Sequence, residues 1–329
     1  MPVQVRLRYH KKMKINQLRC FVQVVEKGSV RGAAEGLGVS ATAVSQSLRE
    51  LERAVSAPLF TRHAQGLTLT LFGRRLLVHA RLIIGQIARA EEDLGQLQGL
   101  AGGAIAIGVT PWVSQTLLPA AIRQFRVIRP DARIDVSESL GAVHSALRDG
   151  SFDLVIGMAP TRQMEPNLTS RPLFSCGLAV AARAGHPLAG AKSLSELAGQ
   201  SWVMTLRQDG SEQPLNDMLA PLGVAPPPEK IHFARSTLSS LAMLEGSDLL
   251  TVCPWPLIES SLMRGRVEPL AIRDVIPPLT TSLVLRRADT LTAAAQIFLD
   301  CFLETADASL ESAEPALKNA LAAVEAIGQ

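Results

Sequence analysis

The apolar residues between positions 15 and 54 recur every three or four residues, which predicts three successive amphipathic helices. Their apolar stripes are Ile15, Leu18, Phe21, Val22 and Val25 in the first helix, Ala33, Ala34 and Leu37 in the second, and Val44, Leu48 and Leu51 in the third. Gly38 ends the second helix, and Ser40 is placed to cap the start of the third. The last two helices are therefore predicted to form a helix-turn-helix.

The polar face of the third predicted helix has the composition of a surface that binds DNA. It carries the hydroxyls of Thr42 and Ser45, the amide of Gln46 and, further along, the guanidinium groups of Arg49 and Arg53. A helix that reads base edges in the major groove needs short polar groups near its start and cations that reach the phosphates beside it. An ordinary helical hairpin with a polar outer face is the alternative.

Two β-prone runs follow the helices, at residues 58–62 and 66–70, and predict a hairpin wing. Arg62 and His63 would lie at the tip of the wing, near the DNA backbone. Together with Arg31 and Ser40 of the helix-turn-helix, they complete the predicted set of DNA contacts.

A proline-free stretch from Leu71 to about Gln98 predicts one long helix. Its apolar residues follow alternating spacings of four and three: Leu76, Ala80, Ile83, Ile87, Ala90, Leu94 and Leu97. This two-per-heptad stripe is typical of a coiled coil. Because basic residues dominate the first part of the helix and acidic residues the later part, we predict an antiparallel dimer helix. A long helix that packs on its own domain is the alternative.

From Ala104 onward, β-prone runs alternate with amphipathic helices, which predicts an α/β fold with parallel sheets. The runs lie at 104–109, 134–137, 153–157, 177–182, 202–205, 231–234, 249–252 and 282–285, and helices are expected near 117–125, 142–149, 213–220, 238–245 and 290–305. The last strand and helix look like a return to the first set. Such a return would produce two lobes joined by two crossing segments.

The charge of the chain is unevenly distributed. Residues 1–80 hold 13 Lys and Arg against four Asp and Glu, a net charge of +9, and the remaining residues carry a net charge of −6. The overall +3 therefore conceals a basic N-terminal module on an acidic body. A basic module could bind any polyanion, but its coincidence with a helix-turn-helix favours DNA.

Several motifs in fixed order give the chain a resemblance to the LysR-type transcriptional regulators, a bacterial family. They are Ile15, the group Val39, Ser40 and Ser45, the pair Leu51–Glu52, the run Pro58–Leu59–Phe60 with Arg62, and Leu69–Thr70 with Gly73. The chain departs from the family at Ala41–Thr42, where Gln-Pro is usual.

The resemblance covers nearly the whole chain and implies its organisation. A basic extension at 1–14 would precede a winged helix-turn-helix domain at 15–72, a linker and dimerisation helix at 73–100, an effector-binding domain at 101–306 and a helical extension at 307–329. The effector-binding domain would be built like a periplasmic binding protein, with lobe I at 101–176 and 282–306 and lobe II at 177–281. Residues 109–111 and 247–251 are similar to a toluenesulfonate-responsive branch of the family.

Small polar residues follow several predicted strands, where helices start. They are Thr110, Pro111, Trp112, Ser114, Gly141 and Met158 in lobe I, and Thr205, Ser236 and Thr237 in lobe II. Ligands bind at the carboxyl ends of such strands, and free N–H groups at helix starts favour anions. The sequence therefore predicts a cleft for a small organic acid or sulfonate, with Trp112 as an apolar wall. Ordinary N-capping by the Ser and Thr residues is the alternative.

The motifs of common hydrolases, metalloproteases and nucleotide-binding enzymes are absent from the sequence, and the six histidines are scattered. We therefore expect neither an enzyme nor a bound cofactor or metal. The expected partners are double-stranded operator DNA, a small-molecule effector, further copies of the chain in a homodimer or homotetramer, and RNA polymerase.

The apolar runs are too short for a membrane span, and the four scattered cysteines are expected to be reduced thiols in the cytoplasm. A redox-sensing cysteine pair is the alternative for those thiols. The alternative function is an α/β small-molecule-binding protein or enzyme with a basic accessory module.

Overall fold

The computed structural model describes residues 12–63, 66–97, 103–138, 143–158, 167–205, 219–220, 223–224, 226–287, 291–311, 321 and 324–326. The chain divides into two compact units. The first comprises Met1–Leu94 with Arg148–Ser151, and the second comprises Gly95–Leu147 with Phe152–Gln329.

The first unit is a winged helix-turn-helix followed by a long helix, as predicted. Its elements are α1 (Ile15–Lys27), α2 (Val30–Leu37), α3 (Ala41–Val55), β1 (Phe60–His63), β2 (Gly66–Leu69) and α4 (Leu71–Leu97). The two strands form an antiparallel hairpin in which Phe60 pairs with Leu69 and His63 with Gly66.

Capping residues separate the helices of the first unit. The hydroxyl of Ser29 accepts a hydrogen bond from the backbone N–H of Gly32 (3.0 Å), and that of Ser40 accepts one from the N–H of Ala43 (3.1 Å). Each such cap contributes about 1 kcal/mol to helix stability. Gly38 ends α2 at φ +65°, a left-handed conformation that favours glycine. The prediction that Ser40 caps α3 is confirmed.

The sequence motifs around the wing have a structural explanation. The carboxylate of Glu52 accepts a hydrogen bond from the N–H of Leu59 (2.8 Å), which fixes the loop between α3 and the wing. The hydroxyl of Thr70 donates to the carbonyl of Pro58 (2.7 Å) and accepts from the N–H of Gly73 (3.0 Å). These bonds hold the wing against the helices on both sides.

The apolar core of the first unit combines the three helical stripes with the wing and the start of α4. Phe21, Val44, Leu51 and Leu59 are buried at its centre, and the rings of Phe21 and Phe60 meet edge to face with centroids 5.4 Å apart. Two positions of the predicted coiled-coil stripe belong to this core as well: Ala80 is fully buried in it, and Leu76 packs against it. The beginning of α4 therefore packs on its own domain, which is the alternative to the coiled coil, at Leu76 and Ala80.

The second unit contains a six-stranded sheet in the order β13-β6-β12-β5-β3-β4. The strands are β3 (Ala104–Val109), β4 (Arg133–Glu138), β5 (Leu154–Gly157), β6 (Leu168–Cys176), β12 (Leu279–Arg286) and β13 (Val324–Ala326). β3 pairs in parallel with β4 and β5, but β12 is antiparallel to β5 and β6, and β13 is antiparallel to β6. The predicted parallel pairing is therefore present among β3, β4 and β5, and the returning strand β12 enters the same sheet in the reverse direction.

A second group of strands follows β6. It consists of β7 (Leu178–Arg183), β8 (Trp202–Thr205), β9 (Ile231–Ala234), β10 (Thr251–Pro254) and β11 (Val267–Pro269). β8 and β9 pair in parallel, whereas β7 is antiparallel to β10 and β11. Because β12 then rejoins the first sheet, the predicted departure and return of the chain is confirmed, although the return begins at Leu279 rather than at 282.

Helices accompany both groups of strands. They are α5 (Pro111–Gln115), α6 (Leu118–Ile128), α7 (Val143–Arg148), α8 (Thr237–Glu245), α9 (Trp255–Ile258) and α10 (Ala293–Leu310). Phe125 of α6 meets Phe298 of α10 edge to face, with centroids 5.7 Å apart, in the main core of this unit. The predicted helix at 213–220 lies almost entirely outside the described residues.

The C-terminal region departs from the predicted helical extension. Helix α10 continues to Leu310, and Val324–Ala326 form an edge strand beside β6, so the prediction is wrong for these three residues. Strand β6 itself was missed because its residues do not alternate between polar and apolar types. Among the helices in the described ranges, none combines the length and apolar composition needed to cross a bilayer.

Candidate DNA-binding surface and ligand cavity

Helix α3 exposes most of the polar residues that the sequence predicted to contact DNA. Thr42, Gln46, Arg49 and Arg53 are exposed, and Ser45 is half-buried. The capping bond of Ser40 fixes the start of the helix. The hydroxyl of Thr42 donates a hydrogen bond to the hydroxyl oxygen of Ser40 (3.4 Å). A capped helix with exposed polar side chains along one face can enter a major groove.

Glu50 orients the amide of Gln46, a role that the sequence analysis missed. The Nε2 of Gln46 donates to one carboxylate oxygen of Glu50 (3.2 Å), and the Nε2 of Gln17 on α1 donates to the other (3.1 Å). These hydrogen bonds, from Gln46 first and Gln17 second, lower the pKa of Glu50, and the charges of Lys14 and Arg53 act in the same direction. The spacing of four residues between Gln46 and Glu50 on one helix was the available signal.

The bonded amide of Gln46 keeps the groups needed to read a base. One of its two N–H bonds points to Glu50, which leaves the second N–H and the carbonyl oxygen. That donor–acceptor pair matches the N7 and N6 edge of adenine in the major groove.

The remaining predicted DNA contacts differ in how the structure holds them. Arg53 donates through Nε to the backbone carbonyl of Arg49 (3.2 Å), which leaves its terminal nitrogens toward solvent. Arg31 is exposed and forms a loose pair with Glu35 (3.7 Å), which constrains it little. His63 is exposed in the wing, and the backbone of Arg62 lies in β1 while its side chain lies outside the described residues.

The second unit contains a cavity of about 150 Å³ at the junction of β3 with α5. Five of the predicted effector residues line it: Thr110, Pro111, Trp112, Met158 and Thr237. Further lining comes from residues that the sequence analysis did not select, among them Ser240, Leu244, Thr251, Cys253, Leu257 and Met263. These residues lie within strands, helices and turns, and nothing in the sequence distinguishes them from ordinary core residues.

Thr110 stands apart from the other hydroxyls at helix starts. It occupies the N-cap position of α5 but makes no capping hydrogen bond through its side chain, and its Oγ1 is buried without a partner. Its methyl group faces Gly157, where an added Cβ would lie only 3.3 Å away. Because buried polar atoms are almost always hydrogen-bonded, an unpaired hydroxyl in a cavity wall indicates a place for a ligand atom.

Two of the other predicted hydroxyls are already engaged. Ser236 accepts a hydrogen bond from the N–H of Ser239 (3.1 Å), so it is an ordinary N-cap of α8 and does not line the cavity. Thr237 donates its hydroxyl proton to Glu138. Ser114 is not among the cavity-lining residues, the side chain of Thr205 is not described, and Gly141 lies outside the described residues.

Trp112 contributes an apolar wall to the cavity. Its indole N–H donates to the hydroxyl of Thr281 (3.1 Å), and its ring meets Phe174 edge to face with centroids 5.9 Å apart. Because the only polar atom of the indole is already bonded, Trp112 offers a ligand an apolar surface alone.

The four cysteines are buried free thiols. Burial raises the pKa of Cys176 and of the cavity-lining Cys253 to about 12, so both thiols are protonated at neutral pH. Neither is therefore poised as a nucleophile. Within the described ranges, no group of three or more His, Cys, Asp or Glu residues is arranged to hold a metal ion.

Two family models together match most of the chain. The model described as "Bacterial regulatory helix-turn-helix protein, lysR family" matches residues 15–74, and the model described as "LysR substrate binding domain" matches residues 98–307.

Individual proteins that are similar to this chain include other transcriptional regulators. The SDS degradation transcriptional activation protein of a Pseudomonas species is 27% identical over 303 residues, which cover 88% of this chain and 95% of that protein. Full-length OxyR from Pseudomonas aeruginosa aligns with a TM-score of 0.62 at 20% identity, over 90% of this chain and 95% of that one. CbnR in complex with its target DNA aligns with a TM-score of 0.62 at 17% identity, over 89% and 100% of the two chains. The solved structures show that the fold is shared.

Proposed function

Because the chain belongs to the LysR family of bacterial transcriptional regulators, which bind DNA and respond to small-molecule effectors, we propose that α3 reads its operator and that the cavity of the second unit receives its effector. The observation that carries the first part is the exposed polar face of α3, a helix that Ser40 caps and that Gln17 of α1 contacts through Glu50. The family consists of regulators, which disfavours the alternative of an enzyme with a basic accessory module.

The DNA contacts divide into two kinds. Ser45 and Gln46 face base edges. The residues that contact phosphates are Arg31, Arg49, Arg53, Arg62 and His63. Thr42 and the capping Ser40 lie beside the DNA at the start of the helix. Phosphate contacts supply most of the affinity, so binding should weaken steeply with salt. Base contacts supply the discrimination between sequences.

Helix α4 is the proposed dimerisation element. Because Leu76 and Ala80 pack within the first unit, the seam is confined to Ile83, Ile87, Ala90, Leu94 and Leu97. Ile83 is 40% exposed and Leu94 60% exposed, and apolar side chains at this spacing favour a second helix as partner. The domain boundaries at 15–72, 73–100 and 101–306 are part of this proposal.

The proposed response begins with an effector that alters the second unit. A ligand shifts a conformational equilibrium only by its difference in affinity for the two states. The effector would therefore change how the dimers, or a tetramer of two dimers, are arranged on DNA, and with that the bending of the DNA and the access of RNA polymerase.

The effector is proposed to be a small organic acid or sulfonate, as the sequence indicated. One similar protein is named for the degradation of SDS, a molecule with a long apolar chain and an anionic head. Since the cavity is lined mainly by apolar side chains, an acid of this kind would place its apolar part there.

A gel shift tests the DNA-binding part of the proposal. The full chain is titrated onto the DNA upstream of its own gene, with competitor DNA and increasing salt. A triple variant with Gln46→Ala, Arg49→Ala and Arg53→Ala should lose binding that resists competitor. The control replaces Arg123, Arg126 and Arg133 by Ala, three exposed arginines of the second unit, and should keep that binding. Equal loss in both variants would contradict the assignment of α3.

A further inference from the structure

We infer that the cavity of the second unit binds an uncharged group the size of one aromatic ring, which carries a single hydrogen-bonding substituent for the hydroxyl of Thr110. This inference rests on the proposed function, since it names the chemical class that the effector cavity takes. An effector with an acidic group must carry it on a linker that leaves the cavity, so an ionised group attached directly to the ring is excluded.

The size of the cavity limits the ligand. A cavity of about 150 Å³ lined by Leu, Ile and Phe side chains in another protein holds one benzene molecule. The cavity beside Trp112 has the same volume, about 150 Å³. It can therefore take one ring or a short branched alkyl group.

The lining of the cavity disfavours an anion inside it. No charged side chain is among the described residues that line it. An ionised carboxylate or sulfonate that enters an apolar cavity loses its hydration, and the described lining side chains offer no opposite charge to replace it. Thr237 cannot serve as a donor to such an anion, because it already donates to the carboxylate of Glu138.

Thr110 supplies the polar contact that the ligand needs. Its side chain is buried, with 2% of its surface exposed, and its Oγ1 has no partner. A hydroxyl can donate and accept, so it matches the hydroxyl of a phenol. The methyl group of Thr110 packs against Gly157, where an added Cβ would lie 3.3 Å from it.

Four probes that share a methyl-substituted benzene ring but differ in polar substituent and charge test the inference. The full chain is titrated with toluene, p-cresol, 4-methylbenzoate and toluene-4-sulfonate, and binding is followed by tryptophan fluorescence, which Trp112 in the cavity wall should report, and by calorimetry. We expect p-cresol to bind about tenfold or more tightly than either anion, because the anions lose hydration without a paired charge.

Variants place the binding in this cavity. Thr110→Val keeps the shape of the side chain and removes the hydroxyl, so it should weaken p-cresol by about five- to tenfold and leave toluene unchanged. Ser240→Leu adds bulk to the wall and should weaken p-cresol and toluene alike. Thr68→Val, at an exposed position of β2, is the matched control and should change neither.

The inference is overturned if either anion binds more tightly than p-cresol and depends on Thr110 or Ser240, or if none of the four probes binds. It is also overturned if Thr110→Val weakens toluene and p-cresol equally. The gel shift without any probe is independent of these results. If the unmodified chain binds p-cresol but shows no competitor-resistant binding to its operator, the cavity assignment is supported and only the proposed DNA-reading role is contradicted.

Discussion

At the scale of the residue, the proposed base-reading position is a pair of side chains, Gln46 and Glu50, rather than a single one. Gln46 is a suitable reader of adenine because Glu50 holds one of its N–H bonds and leaves the matching donor and acceptor outward. Glu50 is in turn held by Gln17 from α1. The amide proposed to read a base is thereby oriented in the protein without DNA.

Gln46→Ala should relax sequence preference more than it weakens binding to random DNA. The expected loss of discrimination is about 1–3 kcal/mol at one base pair, because a bidentate base contact is removed. Arg53→Ala is the contrast: it should weaken binding to all sequences and lower the salt slope by about one. Competition gel shifts on operator and mutated operator measure both, and unchanged discrimination in Gln46→Ala would remove it from the reading set.

Glu50 gives the first unit a defined pH dependence. Hydrogen bonds from Gln46 and Gln17 lower its pKa in the folded state, so the stability it contributes is present above the ordinary pKa of 4.5 and is lost as the pH falls through the lowered value. Urea unfolding between pH 3 and 6 should show this loss, and Glu50→Gln should reduce the slope in that range. A steeper slope in the variant would contradict the lowered pKa.

At the scale of the element, the wing and α4 are joined through a close approach of backbones. A Cβ added at Gly73 would lie 2.2 Å from the carbonyl oxygen of Leu59, closer than atoms can approach. Gly73 is therefore required at the first turn of α4 because the helix starts directly against the loop that leads into the wing. The other end of the same helix carries exposed apolar residues instead.

Gly73→Ala should destabilise the first unit by about 1–3 kcal/mol, because the chain must shift to admit the methyl group. Gly85→Ala, in the same helix, is the matched control. An added Cβ there has its nearest neighbour at 3.8 Å, so the better helix propensity of Ala should stabilise the helix by about 0.5–1 kcal/mol. Thermal and urea unfolding of the two variants should therefore move in opposite directions.

Ile83→Asp should dissociate the dimer by placing a charge in the proposed seam of α4. Ala88→Asp introduces the same charge at an exposed position off the seam and should leave the dimer intact. Sedimentation velocity at several protein concentrations distinguishes them. An intact dimer in Ile83→Asp would contradict the coiled-coil assignment, and dissociation in both variants would show a general effect of charge.

At the scale of the whole molecule, the proposed dimer would read two half-sites whose spacing is set by the symmetry of the protein. The modest affinities of the two winged helix-turn-helix domains for their half-sites then combine into a higher affinity of the dimer for the operator, provided that both domains bind at once. The basic first 80 residues, with a net charge of +9, concentrate this interaction in one part of the chain.

Half-site spacing offers a direct measurement of this geometry. An insertion of about five base pairs between the half-sites moves one of them to the opposite side of the duplex, and an insertion of about ten restores its face. The first should reduce affinity on the order of 10²-fold, and the second should recover part of it. Equal binding to all three spacings would indicate that each winged helix binds alone.

Local patterns in the sequence determined the elements and the family. The helical stripes of α1 to α3, the cap at Ser40 and the β-prone runs at 104–109, 202–205 and 231–234 were predicted correctly, because periodicity and capping act between residues close in the chain. The motifs with Glu52, Thr70 and Gly73 also appear in the sequence, and the structure gives their reason as the bonds around the wing.

Tertiary structure alone decided which of several equivalent residues are free to act. Thr110 and Ser236 both follow strands and begin helices, yet Ser236 is a cap and Thr110 is unpaired in a cavity wall. Ala80 and Ile83 both belong to one heptad stripe, yet the first is buried in its own unit and the second is exposed. The direction of β12 and the strand at 324–326 were settled by partners distant in sequence. Whether a side chain is free depends on atoms that local sequence does not specify.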